Sequence, residues 1–187
     1  VVTLKKDDSN GADIAFTTSI DAAQKVIIVT PTGGFGDQQT VYACVSGVED
    51  NANNALTQTC VTFTTADANV PTVTMRPKDG ATNVGVNTKI YLTFSEKVQN
   101  LDDSGLNDTN VDGLITLKYD GATGSDIAFD ATIDSPDKMM TITPANTLDF
   151  EKNVYVAIGA TVEDASGNAV SATSATFTTI AAGSTPV

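Results

Sequence analysis

Apolar and polar residues alternate along most of the chain in short runs. Ile90, Leu92 and Phe94 are separated by Tyr91 and Thr93, and Ile115, Leu117 and Tyr119 by Thr116 and Lys118. Ile127, Phe129, Ala131 and Ile133 follow at the same spacing. Met140 and Ile142 come next, then Val154, Val156 and Ile158, then Ala175 and Phe177. A period of two with one apolar face is the pattern of a half-buried β-strand. Asp-Gly at 79–80 and 112–113, Ser-Pro at 135–136 and Ser-Gly-Asn at 166–168 punctuate the runs as turns. Nothing carries the period of an amphipathic helix over ten residues. The pattern predicts an all-β chain whose complete unit has about seven short strands in a Greek-key sandwich.

The pattern also repeats. Val2-Thr3-Leu4-Lys5 matches Ile115-Thr116-Leu117-Lys118, Gly11-Ala12-Asp13-Ile14-Ala15-Phe16 matches Gly124-Ser125-Asp126-Ile127-Ala128-Phe129, and Thr30-Pro31 matches Thr143-Pro144, all at one offset of 113 residues. Val48-Glu49-Asp50 and Val162-Glu163-Asp164 extend the match, as do Thr62-Phe63-Thr64-Thr65 and Thr176-Phe177-Thr178-Thr179. A unit of this size suits a two-sheet sandwich. The second copy opens with Pro71-Thr72-Val73-Thr74-Met75 and runs through Ile90–Phe94 before reaching Ile115; the first copy begins at the equivalent of Ile115.

The expected organisation is a partial repeat over 1–65 holding its C-terminal strands, a linker over 66–70, and a complete repeat over 71–179. Residues 180–187 are expected to start a further repeat or form a linker, since Ser184-Thr185-Pro186-Val187 resembles the opening of the second copy. The short join carries Pro71, which suits the start of a strand, and is expected to limit swing between units. A repeat lacking its first strands would expose a sheet edge and half a core. Either the chain is a window on a longer array, or the strands come from another chain by strand addition.

Composition narrows the chemistry. The 187 residues include no His and no Trp, two Cys, ten Lys+Arg and 23 Asp+Glu, for a net charge of −13. Without His there is no Ser-His-Asp or Cys-His pair and no imidazole-ligated metal. Two Cys cannot build a four-thiolate zinc site or an iron–sulfur cluster. The charge argues against nucleic acid as a partner, because phosphate binding needs clustered basic groups. It leaves divalent cations as ligands for clustered carboxylates. No apolar run approaches the roughly 20 residues of a membrane-spanning helix, so direct membrane insertion is not expected. The start, Val1-Val2-Thr3-Leu4-Lys5-Lys6, has neither initiator Met nor signal-peptide pattern, as expected for a mature or cut piece of something longer.

Four stretches together carry a resemblance: Pro77-Lys78-Asp79-Gly80-Ala81-Thr82-Asn83-Val84, Ile90-Tyr91-Leu92-Thr93-Phe94-Ser95-Glu96-Lys97-Val98, Val162-Glu163-Asp164-Ala165-Ser166-Gly167-Asn168 and Thr176-Phe177-Thr178-Thr179. They resemble the bacterial Ig-like repeats of S-layer proteins and large surface adhesins, in full over 71–179 and in part over 2–65. The resemblance implies tandem Ig-like sandwiches and a spacer role on the cell surface. Two features depart from it: an acidic insertion near 100–113, and the two Cys of the first copy.

Candidate sites are few. Cys44 and Cys60 fall on the predicted outer faces of the last two strands of the first copy, where they are expected to be cross-strand neighbours. In an oxidising compartment a disulfide there closes a loop of about 15 residues, worth ~3 kcal/mol by chain entropy; the alternative is two reduced surface thiols. Asp108-Thr109-Asn110-Val111-Asp112-Gly113 fits the D-x-N-x-D-G opening of a calcium loop. Tyr119 stands where a twelve-residue loop would end in Glu, and a strand follows, so Asp108, Asn110 and Asp112 form either a strand-edge calcium loop or a solvated acidic turn. Glu96 and Asp164 could be an acid/base pair, but a glycosidase needs a cleft lined with sugar-stacking aromatics; Asp50 and Asp164 are expected to bond turn N–H groups instead. Tyr42, Tyr91 and Tyr155 on predicted outer faces are either stacking platforms or cross-strand packing. The Thr62/Thr64 and Thr176/Thr178 pairs suit exposed strands without making an ice-binding plane.

No catalytic or cofactor-binding residue is expected, calcium apart. The sequence predicts a non-enzymatic structural repeat of an extracellular bacterial protein: a stalk, surface-layer or fibre element. Its expected partners are neighbouring repeats, and other copies of itself where strands are added between chains. The alternative is a glycan- or protein-binding adhesion module.

Overall fold

The computed structural model describes residues 1–134 and 136–184. Ser135 of the expected Ser-Pro turn, and Thr185-Pro186-Val187 of the expected further repeat, lie outside the described residues. The chain forms two compact units, Val1–Ala68 and Asn69–Val187, and the division falls inside the stretch read as a linker.

Unit 1 contains β1 (Val2–Lys6), β2 (Phe16–Ile20), β3 (Ile27–Pro31), β4 (Thr40–Val45) and β5 (Thr59–Thr64). They make two sheets, β1-β4-β5 and β2-β3. Unit 2 contains β6 (Val73–Arg76), β7 (Ile90–Phe94), β8 (Gln99–Asn100), a 3₁₀ turn (Asp112–Leu114), β9 (Ile115–Tyr119), β10 (Phe129–Ile133), β11 (Met139–Pro144), β12 (Asn153–Ile158), β13 (Val162–Glu163) and β14 (Thr173–Thr178). Its main sheets are β10-β11-β7-β6 and β9-β12-β14, with β8 and β13 as a short extra pair. Four strands facing three in this order is the arrangement of a constant-type Ig sandwich. Every paired strand runs antiparallel to its neighbour.

The alternation in the sequence becomes the core of unit 2. Ile90, Leu92 and Phe94 of β7, Met140 and Ile142 of β11, Val154, Val156 and Ile158 of β12, and Ala175 and Phe177 of β14 are all buried together. Burial of alternate residues fixes the register, because a one-residue slip would turn each strand's apolar set to water. The insertion over 100–113 is anchored in the same core by Leu106 and Val111. Ile180, which the sequence pattern placed after the complete repeat, is also buried. Its N–H donates to Val84 O, and its own oxygen accepts from Glu151 N.

The units share local devices as well as strands. Lys5 pairs with Asp13 and Lys118 with Asp126. Asp21 Oδ1 accepts from Lys25 N and Val26 N, and Asp134 Oδ1 accepts from Lys138 N and Met139 N. Gln24 and Asp137 are both left-handed, as are Asp7 and Asp120, and Gln38 and Glu151. Gly11 and Gly124 answer one steric demand: a Cβ on either would stand 1.5 or 1.6 Å from a backbone oxygen, of Lys6 or of Tyr119. The buried core of unit 1 is far smaller, with Leu4, Ile14 and Val41 at its centre.

Candidate functional site

Cys44 of β4 and Cys60 of β5 are register partners and form a disulfide. Their counterparts in unit 2, Ala157 and Ser174, are partners in the same way. The pair was expected on an outer face, yet Cys44 is buried and Cys60 half-buried. The difference lies in strand position: β4 is central, so Cys44 has Thr3 on one side and Cys60 on the other, whereas β5 is an edge.

The calcium-like run lies along the outer edge of β10. Asp112 Oδ1 accepts from Ala131 N at 2.7 Å, and Asp108 Oδ1 from Ile133 N at 3.2 Å. Ala131 and Ile133 are two apart on an edge strand, so their N–H groups point the same way, off the sheet. Carboxylates four residues apart across a tight turn match that spacing. Asn110 turns back into its own loop, accepting from Asn107 N and donating to Gly105 O. The two acidic residues thus share one strand edge, and Asn110 holds the loop that presents them. Upstream, Asp102 accepts from the side chain and N–H of Ser104, and these bonds hold its carboxyl below the ordinary range.

Asp164 sits at the head of the turn after β13. Its Oδ1 accepts from Ser166 N and Asn168 N, and its Oδ2 from Asn168 Nδ2. Burial pushes this carboxyl up; the bonds from the Asn168 side chain, Asn168 N and Ser166 N outweigh it and hold the group below its usual range. Asp50 repeats the arrangement with Ala52 N, Asn54 N and Asn54 Nδ2, and its carboxyl is lowered chiefly by the Asn54 side chain. Asp21 is lowered by the N–H groups of Val26 and Lys25.

Carboxylate oxygens of Glu96 and Asp164 lie within 4.8 Å of each other. A general acid needs a raised pKa, and Asp164 is driven the other way. Within the turn, Asp164 acts as an acceptor for Ser166 N, Asn168 N and Asn168 Nδ2. The tyrosines fall into matching rows: Tyr42 between Lys5 and Thr62, Tyr155 between Lys118 and Thr176, and Tyr91 between Arg76 and Thr141. All three are half-buried. Each tyrosine thus has a basic residue and a threonine as its cross-strand neighbours on the sheet.

The sequence reading missed Asp79, which accepts from Thr176 N at 2.8 Å and joins the first loop of unit 2 to its last strand. Its signal was the Asp-Gly turn at 79–80; its distant partner had none. Also unforeseen was Thr179, a buried hydroxyl that donates to Asp149 O and accepts from Lys152 N.

A family model described as a bacterial Ig-like domain matches residues 67–179. No curated protein matches the chain.

Proposed function

The chain belongs to the bacterial Ig-like domain family, and from that premise we propose that it is a structural repeat of an extracellular bacterial surface protein, serving as a stalk, surface-layer or fibre element. One observation carries this reading. Acidic side chains at several loops of unit 2 are aimed at backbone N–H groups: Asp79 at β14, Asp108 and Asp112 at β10, Asp134 at its hairpin and Asp164 at its turn. Chemistry-bearing groups used this way hold shape. Under load, shape is what a spacer needs.

Calcium fits this reading as a stiffener of the 100–113 loop, held by the second carboxylate oxygens of Asp108 and Asp112 and by the amide oxygen of Asn110. A chelator is then expected to lower the unfolding temperature of unit 2, and an unchanged midpoint removes calcium from the proposal.

The mechanical role is tested by pulling the chain from its ends in a force spectrometer. Unit 2 is expected to resist and then release in one step roughly 110 residues of chain, each about 3.6 Å when extended. Gradual extension without a peak defeats the spacer reading. Glycan binding abolished by Tyr155→Ala would replace it with the adhesion module.

A further inference from the structure

In unit 2 one side of the sandwich is filled by residues 73–94. There β7 pairs with β11, Leu92 standing opposite Met140 and Ile90 opposite Ile142, and β6 lies beyond β7. The loop between β6 and β7 follows the outer edge of β14. Gly80 N donates to Thr176 O, Val84 N donates to Thr178 O, and Asp79 accepts from Thr176 N. One continuous segment thus covers a rim of each sheet. The counterparts of those rims in unit 1 are β3 and β5. Among the described residues, each is the last strand of its sheet.

The difference can be read side chain by side chain. Phe177 is 1% exposed and its counterpart Phe63 is 42% exposed; Ala175 is 3% exposed and Val61 is 58%; Met140 is 0% exposed and Ile27 is 38%. Leu4, Ile27, Val29, Phe35, Val61 and Phe63 line an open trough of about 570 Å³. Phe35 and Phe63 meet edge to face across it, with ring centres 5.5 Å apart. Contiguous apolar surface flanked by strand edges marks an interaction site.

We propose that this trough is a docking site for a polypeptide segment with the chemistry of residues 73–94. The segment is an extended strand with apolar residues at alternate positions, like Ile90, Leu92 and Phe94, that adds antiparallel to β3. Ahead of it comes a polar turn that caps the edge of β5. Unit 2 supplies the register: Ile27 and Val29 stand where Met140 and Ile142 stand, so they oppose the equivalents of Leu92 and Ile90. Main-chain bonds along the rims give affinity, and the alternate side chains give selectivity. A small apolar ligand would leave the N–H and C=O groups of both rims without strand partners. Two troughs pressed face to face would do the same. The proposal rests on the correspondence between the units, so it stands or falls apart from the mechanical reading. A chain that takes up the segment yet yields without resistance under force fails the mechanical reading alone.

The probe is a synthetic peptide of residues 71–97, added to the full chain. We expect saturable binding of one peptide per chain, with amide exchange slowed in β3 and β5 and unchanged in unit 2. Ile27→Asp in the chain, at a position already exposed, is expected to weaken binding by about tenfold or more, the effect of one buried aliphatic side chain. Leu92→Asp in the peptide is expected to do the same. Absence of binding, or protection that falls on unit 2, overturns the proposal. Self-association of the chain that excludes the peptide also overturns it, in favour of a second copy covering the face.

Discussion

Asp164 shows how a single carboxylate can hold a turn and record pH. Its folded pKa is depressed, so its contribution is complete above the unfolded value and is lost as pH falls through the folded one. Asp164→Ala leaves Ser166 N and Asn168 N without their acceptor and is expected to destabilise unit 2 by about 1–3 kcal/mol at neutral pH. In denaturant titrations the gap between wild type and variant is expected to narrow below about pH 4; a gap of constant size would show that the charge is not what the turn uses. Gly124 makes a steric counterpart. A Cβ there would stand 1.6 Å from Tyr119 O, so Gly124→Ala must move backbone. Its expected cost, about 3 kcal/mol or more, is that of overpacking against backbone, read as a lowered unfolding midpoint of unit 2.

At the level of strands, the Cys44–Cys60 bridge ties the edge strand β5 to the central β4 in the unit with the smaller core. Cys44→Ser with Cys60→Ser is expected to destabilise unit 1 by roughly 3 kcal/mol and to leave unit 2 unchanged, as residue-resolved amide exchange would show. Strands were the most legible feature of the sequence. Ile90–Phe94 and Asn153–Ile158 each alternate cleanly because each has one face in the core. Cys44 and Cys60 could be set side by side from the period alone; the burial of Cys44 could not, because it depends on which strand lies in the middle of the sheet. The turn at Asp164 was readable because its acceptor and donors lie within four residues. The reach of Asp108 and Asp112 to β10 was not, since their partners come from a strand 19 to 25 residues away, and a metal-loop spacing suits an edge strand equally well.

For the whole molecule, the two units differ in what holds them. Among the described residues, twenty buried apolar side chains cluster as the core of unit 2, against three in unit 1. Burial of apolar surface is the main stabilising term, so unit 1 is expected to unfold first. Urea titration followed by tyrosine fluorescence and by amide exchange should give two separate transitions; one coincident transition would mean that the units fold as one. The repeat itself was visible in the sequence, down to the segment of the second copy that has no counterpart within residues 1–65. What that leaves open to water was a matter of depth, and only the paired burial values of Phe63 and Phe177 measure it. The rim of β10 in unit 2 bears on how such molecules keep company. Asp108 and Asp112 post anions where bare amides would otherwise invite a stranger's backbone. A neighbouring strand that approaches that flank finds Ala131 N and Ile133 N already taken, with negative charge standing in front of them.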